Sequence, residues 1–211
     1  MLNFLKDIPV IGILRDIPEG EEVACANTAS KAGLKAIEVT MNTANAPFII
    51  ERLKAACSSL GIMVGAGTVR TIQDFDLAKN AGAEFMVAPS TIPAVIQRSV
   101  AANLPIIPGA LSPTEVQTAF ELGATCVKIF PINAVGGASY IRDLRGPFRD
   151  VPLLACGGVS ENNVQDYLEA GANLVAFGGS IFKPLWMREH QWNLIEEKLK
   201  IFLAAVKKAK Q

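Results

Sequence analysis

One histidine, His190, and four scattered cysteines are all that this 211-residue chain offers as soft metal ligands. Cys25, Cys57, Cys126 and Cys156 form no Cys-x-x-Cys pair. No metal site is therefore expected, nor any mechanism joining a cysteine nucleophile to a histidine base. The cysteines read as small buried hydrophobes of a reducing compartment. A surplus of one charge is missing too: twenty basic residues balance twenty acidic ones, with no block of like sign. That argues against a nucleic-acid or membrane partner, though not against a local phosphate site. No run is long enough to span a bilayer. Between Phe85 and Thr114 the only charge is Arg98, yet Pro89, Pro93, Pro105, Pro108 and Pro113 break the stretch into short pieces. The N-terminus lacks a basic segment ahead of a long apolar core, because Ile8 to Leu14 runs straight into charge. A soluble cytoplasmic protein is expected. No linker or low-complexity stretch divides the chain, so one domain over 1–211 is expected as well.

What the chain has is repetition. Half of its residues are hydrophobic, which suits strands buried on both faces. A phrase recurs at 31–39, 80–87, 121–129 and 169–176: an amphipathic segment, a glycine, then a strand-like run. Glycine is the residue that most easily takes the left-handed conformation that ends a helix. Gly33, Gly82, Gly123 and Gly171 stand 49, 41 and 48 residues apart, which leaves room for a further strand-helix unit in each interval. The spacing predicts strands at 10–15, 36–41, 63–68, 85–90, 105–110, 126–131, 152–157 and 174–179. Helices are predicted near 20–32, 45–59, 71–81, 92–102, 112–122, 137–145, 160–170 and within 187–209, with Ser112 and Ser160 as capping residues. Eight short alternating units point to an α/β fold, a (β/α)8 TIM barrel. The alternative, an open doubly wound sheet, lacks a Gly-x-Gly-x-x-Gly at its first helix, and eight units are many for so short a chain.

In such a barrel the chemistry sits at the C-terminal strand ends. Reading those ends in order gives Arg15, then Glu38 to Asn42 with Thr40 between, then Gly65 to Thr68. Pro89, Pro108-Gly109, Lys128, Cys156-Gly157-Gly158 and Gly178-Gly179-Ser180 follow. Lys128 stands out, a lysine inside the apolar run Cys126 to Pro131. Strand alternation puts Cys126, Lys128 and Phe130 on one face and Val127 and Ile129 on the other. A desolvated amine is a usable nucleophile towards a carbonyl carbon; the plainer reading is a lysine reaching from a strand end to water. Glu38 and Thr40 project inward if Lys128 does. Glu38 is then either an ion-pair partner or the group that moves protons. Arg15 either contacts a substrate carboxylate or phosphate, or positions Glu38. Gly157, Gly158, Gly179 and Ser180, at the last two strands, offer backbone N–H groups and a hydroxyl to a phosphate; each Gly-Gly alone reads as a turn. Gly65 to Thr68 is either part of a binding loop or small residues making room inside the barrel.

With these residues assembled, the chain resembles the class I, Schiff-base aldolases of the 2-keto-3-deoxy-6-phosphogluconate (KDPG) and 4-hydroxy-2-oxoglutarate (KHG) family. The carriers, in family order, are Ile37 to Thr40, Val64 to Val69, Val127 to Pro131, Gly146-Pro147-Phe148, Gly157-Gly158-Val159 and Gly178-Gly179-Ser180. The resemblance implies a homotrimer of (β/α)8 barrels without metal or other cofactor. Lys128 would form an imine with pyruvate, Glu38 act as acid and base through a water, and Thr68 touch the bound pyruvate. Gly157, Gly158 and Ser180 would hold the phosphate. The implied reaction is reversible cleavage of a phosphorylated keto acid to pyruvate and glyceraldehyde 3-phosphate, and of 4-hydroxy-2-oxoglutarate to pyruvate and glyoxylate. The chain departs from the gluconate type at two points: Asn42 replaces an arginine, and Cys156 replaces a threonine ahead of the Gly-Gly pair. Asn42 and Ile13-Leu14-Arg15 are closer to the galactonate type. Arg15, Thr40, Asn42, Thr68, Pro89 and Cys156 are the candidate substrate contacts. Two readings from other classes stay open: a phosphate-binding barrel without covalent catalysis, and a non-catalytic phosphometabolite binder with Lys128 as counter-charge.

Overall fold

The computed structural model describes residues 1–209. Its strands are β1 (Val10–Leu14), β2 (Ala36–Thr40), β3 (Met63–Gly67), β4 (Met86–Val87) and β5 (Ile106–Ile107). They continue with β6 (Gly109–Ala110), β7 (Val127–Ile129), β8 (Leu153–Cys156) and β9 (Leu174–Phe177). The pairings are parallel, in the order β5-β4-β3-β2-β1-β9-β8-β7-β6. β5 and β6 are two halves of the single strand expected over 105–110, parted at Pro108. β5 pairs with β4 and β6 with β7, so the chain itself closes the sheet into an eight-position barrel. Proline has no N–H to give to a ladder, but the Pro108 carbonyl still accepts from the Lys128 N–H at 2.8 Å. The fold is the (β/α)8 barrel, not the open sheet.

Around it lie α1 (Glu22–Ala32), α2 (Ala46–Cys57), α3 (Ile72–Asn80), α4 (Pro93–Ala101) and α5 (Pro113–Glu121). α6 (Ala138–Arg145), α7 (Val164–Glu169), α8 (Pro184–Arg188) and α9 (Trp192–Lys208) complete the ring. The four repeat glycines all take positive φ, from +89° to +105°, as helix terminators should. Ser112 caps α5 as expected, in a reciprocal box with Glu115. Ser160 does not cap α7, which begins four residues later. The Ser160 N–H instead donates to the Asn163 side chain at 2.8 Å, holding 160–163 as a turn. The long final helix expected within 187–209 is α9, and α8, a short helix not anticipated, precedes it, the two parted where His190 adopts φ +53°. A short 3-10 turn over Ile132–Val135, not anticipated, follows the lysine strand.

Strand alternation divides the core in two. Val10, Ile37, Val39, Val127, Ile129 and Val175 face the helices. Ile11, Phe85, Val87, Ile107, Cys126, Leu154 and Leu174 fill the barrel. Leu5, fully buried, joins that inner cluster with Met1 and Leu2 packed against it. The N-terminal segment thus stoppers the end of the barrel where the strands begin. The opposite end, where they finish, is left to polar side chains.

Candidate active site

Glu38 on β2 and Lys128 on β7 both point into the barrel and are 2% and 7% exposed. Their strand periodicity requires it, since their neighbours Ile37, Val39, Val127 and Ile129 belong to the outer core. Room for the carboxyl comes from Gly67: a Cβ there would stand 2.5 Å from Glu38 Oε1. Gly65 likewise leaves space for the Phe85 ring, at 2.5 Å from a would-be Cβ. The small-residue run on β3 therefore makes room inside the barrel.

Burial pushes the Glu38 carboxyl above the usual carboxylate range, and the charges of Lys128 and then Arg15 offset part of that rise. A carboxyl held up in this way exchanges protons nearer neutrality than an exposed one. The Lys128 Nζ lies 4.8 Å from the centroid of the Phe130 ring, which follows directly after the strand. From β8, the Cys156 thiol stands close enough to Lys128 to feel its charge. Burial raises the thiol's pKa, while the Lys128 charge is the largest opposing effect. A primary amine, a carboxyl with a raised pKa and a thiol thus lie buried within electrostatic reach of one another. That set can add an amine to a carbonyl and move the protons that imine formation requires.

Beside it opens a cavity of about 510 Å³, lined among others by Ile13, Arg15, Phe130, Cys156, Gly157, Gly158, Gly179 and Ser180. Arg15 is exposed at its rim. Gly157 and Gly158 carry φ of +104° and +76°, a backbone that other residues rarely adopt. Gly179 has nothing within 4 Å of where a side chain would be, so the backbone there faces open space.

Glu38 and Lys128 do not themselves line this cavity, and the candidates Thr40, Asn42, Thr68 and Pro89 stand outside its lining too. The Thr40 hydroxyl, 1% exposed, is 3.0 Å from that of Thr43, whose oxygen also accepts from the Asp16 N–H at 3.1 Å. Thr40 thereby braces the turn after β2, on which Asn42 is exposed. Thr68 follows β3 in a left-handed conformation, φ +56°, a strained state for a β-branched residue. Pro89 follows β4 and lies half-buried against Gly109. Two neighbours escaped the sequence reading as site residues. Phe130 was placed on the lysine's face but given no role. Asn163, which binds the glycine turn, had no local signal, because it reaches backwards from the start of a helix.

Residues 1–198 match the family described as KDPG and KHG aldolase. The chain belongs to that family. A 2-dehydro-3-deoxy-phosphogluconate aldolase of Haemophilus influenzae is 34% identical over 195 residues, 92% of this chain and 89% of the relative. A native KDPGal structure superposes with a TM-score of 0.90 at 29% identity, covering 97% of both chains. KDPG aldolase from Legionella pneumophila, with pyruvate captured at low pH as a covalent carbinolamine, gives 0.85 at 26% identity, over 94% of this chain and 96% of that one. As a class I KDPG/KHG aldolase the chain is an enzyme, a carbon–carbon lyase. Among the described residues no helix is long and apolar enough to cross a membrane.

Proposed function

We propose that this enzyme cleaves 2-keto-3-deoxy-6-phosphogluconate reversibly to pyruvate and glyceraldehyde 3-phosphate, through an imine on Lys128. The observation that carries the reading is a buried lysine amine at the strand ends beside a carboxyl with a raised pKa. Lys128 Nζ adds to the C2 keto group, and the carbinolamine loses water to leave a protonated imine. That cation takes up the electron pair of the C3–C4 bond as it breaks, giving an enamine and the aldehyde. Glu38, through a water, removes the C4 hydroxyl proton and later returns one to C3. Hydrolysis of the imine frees pyruvate and the amine. The phosphate lies on Gly157, Gly158, Gly179 and Ser180, and the Arg15 guanidinium at the rim adds positive charge for an anionic substrate. Thr68 contacts the pyruvate moiety. The assembly is a homotrimer, and 4-hydroxy-2-oxoglutarate is a second substrate.

Incubation with pyruvate and borohydride should leave a stable adduct on the peptide carrying Lys128, visible by mass spectrometry. An adduct on another lysine, or none, overturns the reading.

The galactonate epimer is a substrate too. Cys156, at the amine, is a poor hydrogen-bond donor where a hydroxyl would read C4 configuration. One lost neutral hydrogen bond, about 0.5–1.5 kcal/mol, leaves roughly three- to twelvefold discrimination in kcat/KM. Both epimers should be cleaved, and Cys156→Thr should shift preference towards the gluconate form. A wild-type preference above about a thousandfold, some 4 kcal/mol, contradicts this.

A further inference from the structure

We infer that Asn163 is a positioning residue that locks the glycine turn of the phosphate site, an inference that rests on the phosphate placement proposed above. Its side chain spans the turn. Nδ2 donates to the Gly158 carbonyl at 2.9 Å, and Oδ1 accepts from the Ser160 N–H at 2.8 Å. The two bonds use opposite ends of the amide, so only one orientation of the group makes both. The residue stands at the N-cap of α7, where asparagine ordinarily accepts from the helix's own first N–H groups. Here it makes no such bond. Its hydrogen-bonding capacity goes to the loop instead of to the helix.

The loop needs it. Gly157, Gly158, Val159 and Ser160 all line the cavity. Two successive glycines with positive φ have many accessible conformations and no side chains to hold one of them. Asn133 confines the turn from another side, lying 3.2 Å and 3.1 Å from would-be Cβ atoms on Gly157 and Gly158. Asn163 supplies the directional constraint. By engaging the Gly158 carbonyl it also keeps that acceptor from swinging towards an anion, which it would repel. A turn ordered before binding spares the substrate the entropy of ordering it, so the benefit appears in KM rather than in the chemical step.

The test is condensation of pyruvate with glyceraldehyde 3-phosphate, compared with D-glyceraldehyde, with inorganic phosphate as competitor. For Asn163→Ala the KM for glyceraldehyde 3-phosphate should rise roughly five- to thirtyfold, the loss of one to two neutral hydrogen bonds. Inhibition by phosphate should weaken by a similar factor, while kcat and the KM for D-glyceraldehyde change less than twofold. Asn163→Asp keeps the acceptor for Ser160, loses the donor and adds a charge. Its KM for the phosphorylated aldehyde should exceed that of Asn163→Ala and respond to salt; if Asn163→Ala does not fold, this variant alone carries the comparison. Equal effects on both aldehydes, or no effect on the phosphorylated one, overturn the role of Asn163. Gly179→Val separates this from the underlying reading. It adds bulk in open space without strain, so it should weaken the phosphorylated aldehyde alone. If it does not, the phosphate placement itself is wrong and the inference about Asn163 falls with it.

Discussion

Burial raises the Glu38 carboxyl, and the cations beside it only partly compensate, so the neutral acid is the form that folding favours. Its contribution to stability is fully present below the ordinary carboxyl value of about 4.3, and is lost as pH rises through the folded-state value. Glu38→Gln has no such loss. The melting temperature of that variant should therefore gain on wild type from about pH 4 upward and level off once the folded-state value is passed. A constant offset would mean that the carboxylate is not penalised. Activity should move the other way, with turnover falling by roughly two to four orders of magnitude. Gly67→Ala tests the same side chain from outside it. The added methyl, 2.5 Å from Oε1, must displace the carboxyl. A shift of this kind should cost about a hundredfold in kcat while pyruvate trapping persists, and wild-type turnover would show that the carboxyl's position is not critical.

Two serines that look alike in sequence behave differently as parts of elements. The Ser112 hydroxyl accepts from the Glu115 N–H at 3.3 Å, and the Glu115 carboxylate accepts from the N–H groups of Leu111 and Ser112 at 2.9 and 2.8 Å. The bond from the Leu111 N–H foremost, then one the Ser112 hydroxyl donates to the carboxylate at 2.9 Å, hold the Glu115 carboxyl below its usual range. Ser160 has no comparable role, because α7 starts only at Val164. Calorimetry should show Ser112→Ala destabilising by about 1 kcal/mol, roughly 2–4 °C in Tm. Ser160→Ala should stay within about 0.5 kcal/mol. A loss of equal size at both positions would contradict the assigned start of α7.

For the whole molecule, the two ends of the barrel carry separate tasks. The N-terminal segment seals one with Leu5, and the proposed chemistry occupies the other. Leu5→Ala removes a fully buried side chain from the inner cluster, at a cost of about 2–5 kcal/mol. Urea unfolding should show that loss, while kcat of the folded protein stays within about twofold, since the seal touches none of the proposed machinery. A matching fall in kcat would mean that packing at the closed end reaches the site. This end of the molecule was not read from the sequence at all, since Met1 to Pro9 has no periodicity long enough to announce an element.

What the chain determined locally was legible in it. Helix-ending glycines, two-residue alternation and a capping serine act through neighbours within a few positions, and they were enough to predict eight units and to tie the facing of Glu38 and Thr40 to that of Lys128. Tertiary structure decided whatever depends on atoms distant along the chain. Pro108 splits a strand and yet closes the barrel, because β4 and β7 bond to its two halves. Gly67 matters because Glu38, 29 residues earlier in sequence, leans on it across a ladder. Asn163 looked like part of a helix start, but its partners lie behind it, in a turn whose shape is set by two left-handed glycines and by Asn133 from another strand's loop. Sequence periodicity records which way a side chain faces; only the packed fold establishes what it meets there.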